Sequence, residues 1–355
     1  MGTALLDRTL LYVTGKGGVG KTTVAAALGL AAAARGRRTI VCEVAEQDRV
    51  SRAFAREGVR SEQEVQLAEN LWAITIDPTE ALREWLGRQL GGGSALRLVT
   101  GSSAFQHFIA AAPGAKELIT IAKVWELAQL ERWDARNRSY DLVVVDAPAS
   151  GHGVAMLTAP HTFGEIARVG PIRRQAFKVR DMLSDPARTG YIAVALPEEM
   201  PVAETLELGV RLEDAVDLGL DAIVMNGLYP ERFTRREAEA LRAAAANGLA
   251  PEALAAVRAA LSEHERARTQ RAHLRRLKRE ASARVYTLPF LFEAEVGLEE
   301  YRTLAAKLGR DHARAACPPR RAAAAPAAHP RPSSGSAGYA PRSSARPRAR
   351  EVTGA

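Results

Sequence analysis

Eight residues near the start of the chain, Gly15-Lys16-Gly17-Gly18-Val19-Gly20-Lys21-Thr22, limit what it can fold into more than any other stretch. They follow the apolar run Leu10-Leu11-Tyr12-Val13 and precede an alanine-rich segment, so strand, glycine loop and helix come in the order a phosphate-binding loop needs. Glycines let successive backbone N–H groups turn inward around an anion, and the helix N-terminus adds the positive end of its dipole. Lys21 offers an ammonium to the outer phosphates and Thr22 a hydroxyl to a magnesium ion. The spacing predicts a nucleoside triphosphate site with Gly15, Lys16, Gly17, Gly18, Val19, Gly20, Lys21, Thr22 and Thr23 around the phosphates.

Strand and helix patterns alternate as a parallel sheet requires. Residues 10–14, 39–44, 71–76, 140–146, 191–196, 222–226 and 284–288 read as strands, and residues 22–35 as the first helix. The expected fold is α/β, a P-loop NTPase with a mostly parallel sheet flanked by helices. Two blocks, about 79–135 and 157–187, read as helical insertions that form a helical subdomain beside the nucleotide face. No second phosphate loop or internal repeat occurs in 355 residues, so an arrangement with two nucleotide sites needs two chains.

The net charge of +8 is unevenly placed: seven arginines and one acid, Glu351, lie beyond Cys317, leaving the rest nearly neutral. The ATPase domain is expected over 1–312, and 313–355, rich in Ala, Pro, Ser and Arg, as a disordered basic tail. Such a tail can hold nucleic acid or acidic lipid through counterion release, or be a solvated extension. Two cysteines, Cys42 and Cys317, are too few for a disulfide framework or a CxxC metal site, which fits a reducing cytoplasm. The phosphate loop comes too early to leave room for a signal peptide, and no apolar run reaches membrane-spanning length.

Asp146 ends a buried strand, Leu142-Val143-Val144-Val145, where a carboxylate can hold magnesium through water opposite the loop. The segment that follows, Ala147-Pro148-Ala149-Ser150-Gly151-His152, and the loop's second lysine, Lys16, carry a resemblance. The run Lys16-Gly17-Gly18-Val19-Gly20-Lys21-Thr22-Thr23 resembles the deviant phosphate loop of the ATPase class that holds arsenite-pump, tail-anchored-protein-targeting, partition and septum-site ATPases. Residues 146–152 are similar to the switch II segment DTAPTGH of the arsenite-pump and tail-anchor-targeting family, with the proline shifted by one place. Segments around Ile76-Asp77-Pro78, Ala112-Pro113-Gly114, Leu196-Pro197-Glu198, Asn226-Gly227-Leu228 and Leu288-Pro289-Phe290 also look like that family's.

The resemblance implies ATP and Mg2+ as cofactors, a dimer, and a Lys16 that reaches across the interface to the partner's nucleotide. It implies that Asn226 meets the adenine edge and that the loop from Pro289 and Phe290 closes over the base; an asparagine after a strand is equally a turn former. Gly151 would let a backbone N–H sense the γ-phosphate and the loop hinge on hydrolysis, while His152 reads as a packing or capping residue.

One departure stands out. The family's water-orienting aspartate of switch I falls on Ala45, with Glu46 adjacent and Asp48 beyond. Glu46 can do that work from a shifted backbone, or hydrolysis is slow and depends on a partner. The segment looks like that of the family's actinobacterial branch. The clustered thiolates of arsenite capture and the CxxC of a dimer-bridging zinc are absent, and the methionines are scattered singly.

These residues predict a cytoplasmic, dimeric, magnesium-dependent ATPase that works as a conformational switch, with Lys16, Glu46 and Asp146 as its catalytic groups. Homodimer and heterodimer with a paralogous ATPase stay open, and the protein client is unknown. The alternative is a partition- or septum-site-type ATPase on DNA or a membrane surface. For the DNA reading, the basic helix at 263–282 is the available feature, though it lacks aromatic stacking residues.

Overall fold

Every residue of β1 (Leu10–Thr14) is buried, yet on opposite sides: Leu10 and Tyr12 pack below the sheet, Leu11 and Val13 above it. A strand covered on both faces reads as a continuous apolar run, and it needs helices above and below. The computed structural model of the chain describes residues 5–44, 50–51, 54, 63–90, 114–133, 137–167, 169–293 and 296–316, all inside the unit Met1–Cys317. Eight strands form one sheet in the order β3-β4-β2-β5-β1-β6-β7-β8. They are β1, β2 (Thr39–Glu43), β3 (Val65–Ala68), β4 (Leu71–Thr75), β5 (Leu142–Asp146), β6 (Thr189–Ala195), β7 (Ala222–Leu228) and β8 (Arg284–Pro289). All neighbours run parallel except β3 and β4. This is the predicted α/β architecture of a P-loop NTPase.

The upper face is closed by α1 (Lys21–Ala33) and α9 (Leu298–Ala316), whose Val24, Leu28, Leu304 and Leu308 pack with Val41, Val144 and Val194. Small residues let α1 lie close to the sheet. A Cβ on Gly29 would stand 2.7 Å from Val41 Cγ2, well inside contact distance. The lower face is closed by α3 (Ala115–Leu127), α4 (Ser150–Ile166) and α5 (Pro171–Leu183), with Ile121, Val124, Met156, Val179 and Met182 against Ile40, Val143 and Tyr191. α2 (Pro78–Leu90) adds Trp85 to the same cluster. α6 (Glu199–Val216) and α8 (Pro251–Glu280) cover β6 and β7 through Val202, Leu208, Leu274 and Leu277, and α7 (Arg235–Ala246) opens on a Thr234–Glu237 capping box.

A buried ionic cluster ties the lower helices to the sheet. Lys123 of α3 pairs with Glu84 of α2 at 2.5 Å and Glu126 at 3.2 Å. Arg132 bonds Glu126 at 2.5 Å and Glu64 at 2.7 Å, and the Tyr140 hydroxyl donates to Glu64 at 2.6 Å. Burial disfavours the Arg132 charge, and its bonds to Glu126 and Glu64 more than offset that, so its pKa ends up raised.

Some boundaries differ from the sequence expectation. The short strand β3 was not anticipated: four residues with one buried side chain carry little pattern, and it pairs antiparallel through a turn at Asn70, φ 56°. β5 begins at Leu142 because Tyr140 is engaged with Glu64, and Asp141 takes bonds from the Arg38 backbone and side chain. α8 starts at Pro251, twelve residues before the expected basic helix, with the proline in the first turn where its missing N–H costs nothing. Ala45, Glu46, Asp48, Ala112, Pro113 and the tail from 317 lie outside the described residues. None of the described helices is long and apolar enough to cross a membrane.

Candidate functional site

β5 lies between β1 and β2 in the sheet, and the loop after β1 stands at the carboxyl ends of these strands, the edge at which open α/β sheets bind ligands. The glycine loop sits there, directly before α1. Gly15 has φ 142°, and a Cβ on it would stand 2.4 Å from the Val194 carbonyl oxygen. Gly20 has φ 90°, and its Cβ would stand 2.3 Å from Asn226 Nδ2. At Gly15 a side chain is excluded by backbone angle and by a fixed backbone oxygen, and at Gly20 by backbone angle, with the Asn226 amide standing where a Cβ would go.

The cavity is lined by Gly17, Gly18, Gly20, Lys21, Thr22, Thr23, Glu43, Asp146, Ala147, Pro148, Ala149 and Tyr301. The Thr22 hydroxyl donates to Asp146 Oδ2 at 2.6 Å, which places the two expected magnesium-side groups in contact. Lys21 Nζ donates to the Lys16 carbonyl at 3.0 Å, curling its ammonium back over the loop. Lys16 is turned the other way: its Nζ bonds Glu204 Oε1 of α6 at 2.6 Å. Val19 is buried, and its carbonyl accepts from Asn226 Nδ2 at 3.0 Å, so Asn226 props the loop from behind and keeps its amide oxygen for another donor.

The switch II segment is bonded to the same loop. The Ala147 N–H donates to the Val13 carbonyl at 3.0 Å and the Ser150 N–H to the Gly15 carbonyl at 3.1 Å. The sequence reading placed Gly151 and His152 in a loop; the structure puts both in the first turn of α4. The turn is held by the Gly153 N–H to the Ala149 carbonyl at 3.0 Å and by the Tyr12 hydroxyl to the Gly153 carbonyl at 2.9 Å. Nothing stands within 4 Å of a Cβ built on Gly151, so space does not demand glycine there in this arrangement.

Pro289 ends β8, and Phe290 follows it, its N–H donating to the Leu228 carbonyl at 2.8 Å. Phe290 stacks on Tyr229 with centroids 4.6 Å apart, and Phe292 meets both edge-on. This partly exposed aromatic group lies beside Gly227, the neighbour of Asn226, so the expected base-side residues fall together.

Two cavity residues were missed by sequence reasoning. Tyr301 comes from α9, far along the chain, and is hydrogen-bonded to the Thr23 side chain; burial pushes its pKa up, and the charges of Glu43 and Asp146 add to that. No local signal marks it. Glu43 did have a signal, since a carboxylate ending the apolar run Thr39-Ile40-Val41-Cys42 is the pattern that singled out Asp146. Among the described residues no group of three or more His, Cys, Asp or Glu could hold a metal on its own, and Cys42 is buried inside the sheet.

Residues 8–175 match the family described as anion-transporting ATPase. The chain is 31% identical to the ATPase BagA of Mycobacterium tuberculosis over 226 residues, which is 62% of this chain and 65% of that protein. It is 27% identical to a putative arsenical pump-driving ATPase of Halobacterium salinarum over 233 residues, 63% of this chain and 36% of that protein. With the ATPase GET3 of Kluyveromyces lactis it shares 25% identity over 252 residues, 61% of this chain and 71% of that protein. The match thus spans 65% of the length of the mycobacterial relative. The family match covers residues 8–175, the part of the chain that carries the glycine loop, Asp146 and the start of α4.

Proposed function

We propose that the chain binds and hydrolyses ATP with Mg2+ as a dimeric conformational switch acting on a protein client. The observation that carries this reading is the juxtaposition of a side-chain-free glycine loop, Lys21, and the Thr22–Asp146 pair at one helix N-terminus. The donor set fits the cofactors. Thr22 and Asp146 offer oxygens alone, as a hard divalent cation prefers, and Gly15 to Thr23 offer backbone N–H groups and an ammonium to phosphate. Magnesium held there would neutralise charge on the phosphate oxygens.

The chain's own residues do the rest. The loop amides and Lys21 fix the phosphates, and Thr22 and Asp146 hold the cation side. Asn226 offers its free amide oxygen to the exocyclic amine of adenine, and Phe290 its ring to the base face. Lys16 exchanges Glu204 for the nucleotide of a partner chain, closing the dimer. Ser150 and Gly151, tied to Gly15 through one backbone bond, carry the phosphate state into α4 and the helices packed on it. The arginines of α8 do not favour the DNA alternative, since Arg268, Arg271, Arg276 and Arg279 each pair with a glutamate.

The test is calorimetric titration of the purified chain with ATP and GTP, with and without Mg2+, followed by phosphate-release assay. ATP binding in the micromolar range that needs Lys21 is the expected result; no nucleotide binding by the wild type overturns the reading.

A further inference from the structure

The cavity contains a second carboxylate beside Asp146. Glu43 is the last residue of β2, 3% exposed, and its Cα pairs in register with that of Asp146 on the adjacent strand β5. Both side chains line the cavity with the glycine loop. Among the described residues that do so, these two are the acids. Asp146 is committed to the Thr22 hydroxyl at 2.6 Å, on the cation side. Glu43 stands one strand further from the loop, where β2 runs out towards residue 45, at which the family pattern expects a carboxylate and this chain has alanine.

We propose that Glu43 is the carboxylate that holds the attacking water, taking over the work of the missing switch I aspartate. The proposal rests on the reading of this cavity as an ATP site. The water oxygen bonds to the γ-phosphorus while the bond from phosphorus to the β–γ bridging oxygen breaks. The electron pair of that bond leaves with ADP, and the water proton passes through the Glu43 carboxylate to the released phosphate. Its place on a strand, rather than on the following loop, holds the carboxylate in the rigid part of the fold.

The experiment compares the full chain with Glu43→Gln, Glu43→Asp and Glu46→Gln. It reads ATP turnover, ATP affinity by calorimetry, and the nucleotide retained after ATP loading and gel filtration. Glu43→Gln is expected to lower turnover by about 10²–10⁴-fold while ATP affinity stays within about threefold, and to retain ATP where the wild type retains ADP. Glu46→Gln tests the competing carboxylate, and its turnover is expected to stay above that of Glu43→Gln. The proposal is overturned by wild-type turnover in Glu43→Gln, by loss of ATP affinity in that variant, by collapse in Glu46→Gln alone, or by a wild type that binds ATP without hydrolysing it. If Glu43→Gln does not fold, Glu43→Asp decides: lower turnover at unchanged affinity supports the proposal, and unchanged turnover overturns it. A wild type that binds no ATP at all overturns the ATP-site reading, a result distinct from any of these.

Discussion

Lys16 and Lys21 stand five residues apart on one loop and face opposite ways, Lys21 over the loop and Lys16 onto Glu204. Their substitutions should therefore separate. Lys21→Ala is expected to lose ATP binding outright. Lys16→Ala is expected to keep binding but lose ATP-dependent association and hydrolysis, so equal phosphate release by wild type and Lys16→Ala counts against the cross-dimer role. Glu204→Gln frees Lys16 and should move association to lower ATP concentration, seen by sedimentation. The pair is partly exposed, so its worth is about 0.2–1 kcal/mol and the shift no more than about fivefold. Gly15→Ala forces a Cβ to 2.4 Å from a backbone oxygen at φ 142°, and its melting temperature should fall by several degrees as ATP binding is lost.

At the scale of elements, α2 and α3 are locked to the sheet by charge as well as by apolar packing. Arg132 is buried between Glu126 and Glu64, so Arg132→Met leaves the buried Glu126 with Lys123 as its remaining cation and Glu64 with the Tyr140 hydroxyl alone. Removing one partner of a buried pair typically costs about 3–5 kcal/mol, which urea unfolding can read. A loss below about 1 kcal/mol would show that water reaches the cluster. The bond between Arg38 ahead of β2 and Asp141 ahead of β5 is different, since both side chains are partly exposed. Its hydrogen bond with Arg38 holds the Asp141 carboxyl below its ordinary pKa of 3.8. A depressed folded-state pKa stabilises the fold above the unfolded value, and that contribution disappears as pH falls through the folded one. Wild type should therefore lose its advantage over Asp141→Asn as pH falls below the ordinary value of 3.8 and through the lower folded-state one, and solvent screening keeps the difference under about 1 kcal/mol.

For the whole molecule, the proposed switch has one glycine loop per chain, so its closure would be an association between chains. A non-hydrolysable ATP analogue with Mg2+ should shift the chain to dimer in sedimentation, ADP should reverse it, and EDTA should abolish turnover until Mg2+ is restored. A sedimentation coefficient indifferent to nucleotide would remove the switch. The strand–loop–helix order at residues 10–22 and the acid closing Leu142–Asp146 were legible because each is local: a phosphate cradle and a buried strand leave their pattern within a few adjacent residues. The parallel sheet followed from the alternation of apolar runs with helical stretches. Other features depend on residues far apart in the chain. The pairing of Glu43 with Asp146 comes from strand order, the arrival of Tyr301 at Thr23 from the packing of α9 on α1, and the Lys16–Glu204 bond from α6 lying beside the loop. The edge strand β3 depends on pairing with β4 rather than on its own four residues. Local chemistry fixed what the site is made of; which side chains from distant segments complete it was decided by the order of strands in the sheet, because contacts across that order leave no trace in sequence spacing.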